Sequence, residues 1–298
     1  MSYPTTFQNA RTLAVAGGLV LLAGLAFAQD APDMRADRVT VGGLDIYYEV
    51  HGELSPGETP ILLLHGGMGS IQTDFAALLP ALAENHVVIG VDQQGHGRTG
   101  GREADITLSA MREDTLAVLD ALDVERVHVV GFSMGGMLAL ELGVHAPERI
   151  ATLTAISTTQ NIEGMHPDIV AMNRDPSHQP APEIAALMPT EEDFAEMQAG
   201  FADNPSGPEQ FERTFGQMNA FITSDWGWSD EELASIAAPS LLVLGDTDFA
   251  PVEHAAGMAT LIQDAQLAVL PDTTHLTITR RPEWLVPMIE NRISSASE

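Results

Sequence analysis

In residues 38–41 and 44–50 apolar and polar positions alternate on either side of Gly42-Gly43. That pattern predicts two half-exposed strands joined by a tight glycine turn, a hairpin. Beyond it the period changes. Residues 60–64, 87–91, 127–130, 151–156, 240–244 and 267–270 are short, nearly continuous apolar runs, as expected of strands buried on both faces of a parallel sheet. Between them, residues 73–84, 108–122 and 134–145 read as helices. Strands alternating with helices predict an α/β fold, a mostly parallel sheet with helices on both faces.

The rhythm stops between residues 157 and 238. This stretch holds His166-Pro167, Asp175-Pro176, Gln179-Pro180-Ala181-Pro182 and two further prolines at 205 and 208, among short helical pieces rich in Met and Phe. It reads as a helical cap, residues 158–238, inserted into a core made of residues 29–157 and 239–298. The start of the chain is different again. Arg11 precedes an apolar stretch that ends in Ala26-Phe27-Ala28, the layout of an export leader with a small-residue cleavage site. Residues 1–28 are therefore expected to be removed, placing the protein in the periplasm or outside the cell with no stable membrane association.

The 298 residues include no cysteine, so export brings no disulfide, and a thiol nucleophile or thiolate metal site is excluded. All 13 basic residues are arginine, against 42 acids, for a formal charge of −29. Such a surface repels nucleic acid and anionic lipid.

Chemistry enters at Gly131-Phe132-Ser133-Met134-Gly135, between an apolar run and a small-residue helical stretch. A sharp strand-to-helix turn strains the central residue and leaves no room for flanking Cβ atoms, which explains both glycines. Ser133 is then a candidate nucleophile, and the Met134 amide at the helix start can face an oxyanion. A serine needs a base, and the base needs an orienting acid. Asp248, in Gly245-Asp246-Thr247-Asp248, and His275, in Pro271-Asp272-Thr273-Thr274-His275, each follow a predicted strand. Both would lie at the same sheet edge as Ser133. Asp246 is the competing acid; directly after Gly245 it is better placed to cap the loop. Leu64-His65-Gly66-Gly67 ends another buried strand and offers the Gly67 amide as the second oxyanion donor, with His65 as a buttress. His166 and His178, in the cap, read as loop residues open to a substrate contact.

These segments, together with Asp92-Gln93-Gln94-Gly95-His96-Gly97-Arg98-Thr99 and Pro251, resemble the α/β-hydrolase superfamily over nearly all of residues 38–298. The resemblance implies an eight-stranded sheet, a cap after the sixth strand, no metal or cofactor, and the triad Ser133, Asp248 and His275 acting through an acyl-enzyme. Gln94 departs from it where relatives often carry arginine, which removes a local salt bridge. The expected substrate is a neutral or hydrophobic ester or lactone. Met165, Met172, Met188, Met197 and Met218, with Phe194, Phe201, Phe211, Phe215, Phe221, Trp226 and Trp228, either line its pocket or pack the cap onto the core. A carbon–carbon hydrolase or cofactor-free haloperoxidase would use the same triad. A small-peptide aminopeptidase would need cap acids such as Glu183, Glu191, Glu192, Asp193 and Glu196. A ligand-binding receptor with negligible turnover is the reading from another class.

Overall fold

The computed structural model describes residues 34–175 and 177–296; the leader assigned to residues 1–28 lies outside them. The hairpin is formed by β1 (Met34–Val41) and β2 (Leu44–His51), with Val41 opposite Leu44. Gly42 and Gly43 turn it at φ 55° and 83°. The apolar runs become β3 (Ile61–Leu64), β4 (Val88–Val91), β5 (Val127–Phe132), β6 (Ile150–Ile156), β7 (Ser240–Thr247) and β8 (Ala265–Thr274). All eight join one sheet in the order β1-β2-β4-β3-β5-β6-β7-β8. The pairings β1/β2 and β2/β4 are antiparallel, the rest parallel.

Before β6 the helices are α1 (Ile71–Asp74), α2 (Leu78–Ala83), α3 (Leu108–Ala121) and α4 (Met134–His145). Between β6 and β7 lie α5 (Pro167–Arg174), α6 (Pro182–Ala185), α7 (Glu191–Ala199), α8 (Gln210–Ile222) and α9 (Asp230–Ala234). The chain closes with α10 (Val252–Leu261) and α11 (Pro282–Ser295). Alternate residues of β3 serve opposite sides of the sheet. Leu62 and Leu64 pack with Leu119 of α3, Leu138 of α4 and Met258 of α10, while Ile61 and Leu63 pack with Leu78 of α2 and Leu285 of α11. Each such fully buried side chain contributes about 1.5–3 kcal/mol, so the central strands read as continuous apolar runs because both faces are covered.

The helix expected over residues 73–84 is in fact two pieces, α1 and α2, and Pro80 gives the reason. In an unbroken helix Pro80 would have no N–H for the carbonyl of Ala76, and its ring would clash with it. The chain instead interrupts after Asp74 and restarts at Leu78, which places Pro80 in a first turn, where proline fits.

Glycine spacing can be tested directly. A Cβ on Gly135 would collide with the carbonyl oxygens of Leu64 and His65, whereas one on Gly257, in α10, meets nothing within 4 Å. Gly135→Ala should cost about 2–3 kcal/mol through overpacking, and Gly257→Ala should be neutral or gain up to about 1 kcal/mol of helix propensity. Urea unfolding of the two variants beside the wild type measures both.

Candidate active site

The parallel strands β4, β3, β5, β6, β7 and β8 end at one edge of the sheet, and four of them deliver predicted residues there: His65 follows β3, Ser133 follows β5, Asp248 follows β7 and His275 follows β8. The turn at Ser133 has φ 52° and ψ −115°, a left-handed geometry that costs about 1–3 kcal/mol for a residue with a Cβ. The surroundings hold it there. The Ser133 amide donates to Ile156 O at 2.8 Å, and a Cβ on Gly131 would collide with the Gly135 carbonyl.

Ser133, His275 and Asp248 meet in an unbroken hydrogen-bonded chain. His275 Nδ1 lies 2.7 Å from Asp248 Oδ1, and its Nε2 lies 3.0 Å from Ser133 Oγ. An ionised carboxylate can only accept, so Nδ1 carries the proton and Nε2 is left to accept the Ser133 hydroxyl. The ring is held flat: Phe249 stacks on it at 4.0 Å between centroids, and Phe132 lies 5.2 Å away on a tilted plane. Asp248 is 2% exposed. Burial pushes its carboxyl up, but His275, the Ser157 hydroxyl and the Gly245 amide outweigh burial and hold it below the ordinary carboxylate range. The Phe249 amide adds a fourth donor, to Oδ1 at 2.7 Å. This arrangement can move a proton off Ser133 and stabilise the imidazolium left behind.

Asp246, the competing acid, does something else. Its two oxygens accept the Asp272 and Thr273 amides, both at 3.1 Å, so it shapes the loop that carries His275. Gly67 and Met134 both border the cavity beside Ser133. Neither backbone N–H has an acceptor among the described residues; Met134, first residue of α4, lies outside the helical ladder. His65 is fully buried, donates from Nδ1 to Gly66 O at 2.7 Å and accepts the Gln93 amide on Nε2 at 2.9 Å. Gln94 donates to Ala104 O at 2.9 Å, a neutral tie where an arginine would have carried charge. His178 is paired with Asp168 at 3.0 Å, and neither it nor His166 borders the cavity.

The cavity over Ser133 holds about 820 Å³, within the range of small-molecule sites. Of the twelve Met, Phe and Trp side chains singled out in the sequence, Met165, Met188, Met197, Met218, Phe194, Phe215 and Phe221 border it. Phe201 and Phe211 instead pack edge to face over Met68, and Trp226 and Trp228 join the main core. The two readings of these residues therefore divide among them. Two functional neighbours escaped the sequence: Ser157, whose hydroxyl donates to Asp248, and Asp74, which borders the cavity. Ser157 does stand directly after an apolar run at φ 53°, but a serine at a strand end is too common to mark.

Because ionisation of Asp248 is favoured in the folded state, its contribution to stability is complete above the ordinary carboxylate range and is lost as pH falls through its lowered value. Asp248→Asn should therefore show a shallower acid limb than the wild type when unfolding free energy is followed from about pH 6 to pH 3.

A sequence profile of the alpha/beta hydrolase family matches residues 61–288. Among curated proteins, a putative carbamate hydrolase of Azorhizobium caulinodans is 30% identical over 268 residues, covering 83% of this chain and 94% of that protein. An uncharacterized hydrolase of Bacillus subtilis is 25% identical over 83% of this chain and 94% of its own length. Among solved structures, Est816, an N-acyl homoserine lactone degrading enzyme, is 28% identical with a TM-score of 0.68, covering 85% of this chain and 99% of its own. A 2-hydroxy-6-oxo-6-phenylhexa-2,4-dienoate hydrolase from a Rhodococcus strain shares the fold at 21% identity and TM-score 0.70, over 88% of this chain and 99% of that one.

Proposed function

The chain belongs to the alpha/beta hydrolase family, and we propose that it hydrolyses a neutral carboxylic ester or lactone through a covalent acyl-enzyme on Ser133. The observation that carries this reading is the chain from Asp248 through His275 to Ser133, opening into a cavity bordered by two amides without acceptors. His275 Nε2 takes the Ser133 proton as Oγ attacks the carbonyl carbon. The Gly67 and Met134 amides receive the oxyanion, and Asp248, ionised throughout, stabilises the imidazolium. His275 then gives the proton to the departing alkoxide, and a water deprotonated by the same ring releases the acid. With a lactone the alcohol and the acid leave as one hydroxy acid.

Two features favour an uncharged, largely apolar substrate. The wall supplied by residues 157–238 carries four Met and three Phe side chains beside Ile169 and Ile222, with polar groups such as Thr158, Asn173 and Asn219 between them; the Met side chains adapt to alkyl and ring shapes. Among the described residues, the charged groups bordering the cavity are Asp74, Asp193 and Glu196 against one cation, Arg280, and the whole chain stands at −29, so the field opposes an anionic ligand. A cyclic neutral ester, such as the N-acyl homoserine lactones that Est816 degrades, meets both conditions. We also assign residues 1–28 to export, on their charge and apolar pattern.

A fluorophosphonate probe should label the wild type and leave Ser133→Ala unlabelled, and hydrolysis of a p-nitrophenyl ester series from acetate to decanoate should vanish with the label. A wild type that does not label sinks the serine-hydrolase reading. Asp248→Asn, which leaves the ring in the wrong tautomer, should lower kcat about 10³–10⁴-fold in steady-state assays at neutral pH. Fractionation of the producing cell, with N-terminal sequencing of the recovered protein, should find it outside the cytoplasm and beginning at Gln29; recovery of the intact chain from the cytoplasm overturns export.

A further inference from the structure

Asp74 is the last residue of α1, four residues after the capping Ser70, and its carboxylate turns back over the glycine loop. Oδ2 accepts the Gly66 amide at 2.7 Å, and Thr73 Oγ1 donates to Oδ1 at 3.3 Å. A Cβ on Gly66 or on Gly69 would run into this same carboxylate, so it lies directly against both glycines. The groups that face it are His65, the Gly66 amide, Thr73 and His275; burial pushes the carboxyl up against their opposing pull.

The next peptide along is the one that bears the Gly67 N–H. Gly66 O accepts from His65 Nδ1 at 2.7 Å and from the Gly69 amide at 3.2 Å. In a trans peptide the carbonyl and the following N–H point in opposite directions, and among the described residues no peptide is cis. Donors gathered on Gly66 O therefore turn the Gly67 N–H away from them. Gly66 itself has no side chain to limit φ and ψ, and such a residue is the freest in any chain. His65 and Gly69 hold its carbonyl, and among the described residues Asp74 alone holds its amide. The chain is forced to use glycine here, because Phe132 also stands where a Cβ would go, and the carboxylate removes the freedom that glycine brings.

We propose that Asp74 is a positioning residue for the reaction: by pinning the Gly66 amide it keeps the Gly67 N–H aimed at the oxyanion. This rests on the serine-hydrolase reading above. Ester kinetics of the wild type, Asp74→Ala and Asp74→Asn, with active sites counted by fluorophosphonate titration, test it. Asp74→Ala should lose about 10–100-fold in kcat per titrated site, less than deletion of an oxyanion donor, with KM within about threefold. Asp74→Asn, whose amide oxygen still accepts from Gly66, should recover most of that loss. A purely structural role would lower the melting temperature and leave kcat per titrated site unchanged, which overturns the proposal, as does an Asn variant as impaired as the Ala variant. If Asp74→Ala does not fold, Asp74→Glu replaces it, since one extra methylene displaces the oxygens; a Glu variant with wild-type kcat overturns the proposal, and an impaired one beside an active Asn variant supports it. A wild type that neither labels nor turns over ester defeats the serine-hydrolase reading itself, and this inference with it.

Discussion

The first turn of α4 lies so close to the end of β3 that residue 135 has no space for a Cβ beside the carbonyl oxygens of Leu64 and His65. Much of the site follows from that approach. It sets the helix start against the glycine loop after β3, so the Met134 amide and the Gly67 amide border one cavity. It also leaves the chain no relaxed route from β5 into α4, and Ser133 takes up the difference at φ 52°. Strain of about 1–3 kcal/mol at one residue persists because the sheet on one side and the helix on the other are each far more expensive to deform.

Electrostatics then decides how an interior charge survives in a chain of formal charge −29. Asp248 is buried, yet four donors surround it: His275, Ser157 and the amides of Gly245 and Phe249. Phe132 and Phe249 flank the imidazole and keep water from screening the pair. The same edge carries a second buried acid. Asp92, fully buried, accepts the Ile71 amide at 2.9 Å on one oxygen and the Arg98 amide and guanidinium, each at 2.9 Å, on the other. Arg98 also pairs with Glu49. Burial would raise Glu49, but the bond from His51 and the charge of Arg98 pull it down to about 2. This network anchors the start of α1, and α1 carries Asp74 back to the glycine loop.

That Ser133, Asp248 and His275 share a sheet edge was legible because each stands a few residues beyond an apolar run that predicts a strand, and in a parallel sheet the ends of such strands share an edge. Asp246 and Asp248 could be told apart on the same ground, by distance from the strand. The helix over residues 73–84 was misread although its breaker, Pro80, was in plain view; apolar spacing on both sides of the break hid the interruption. Asp74 was invisible for a related reason. Its partner Gly66 lies eight residues earlier, across a turn whose path only the packed loop defines.

The aromatics of residues 157–238 mark the boundary between the two kinds of information. Composition sufficed to say that Met- and Phe-rich pieces would cover something apolar, because so much apolar surface in short helices must be buried. Phe201, in the turn after α7, packs with Phe211 and Met68, while Phe194, on α7, borders the cavity, a distinction that depends on how these pieces pack on their neighbours. By itself the sequence determined which segments form strands, where the glycine turns fall and the charge, which depend on residues near one another in the chain. The tertiary structure alone decided which amides remain without acceptors, which carboxylate clamps the Gly66 turn and which side chains shape the cavity, because those contacts join segments whose separation in sequence says nothing about their distance in space.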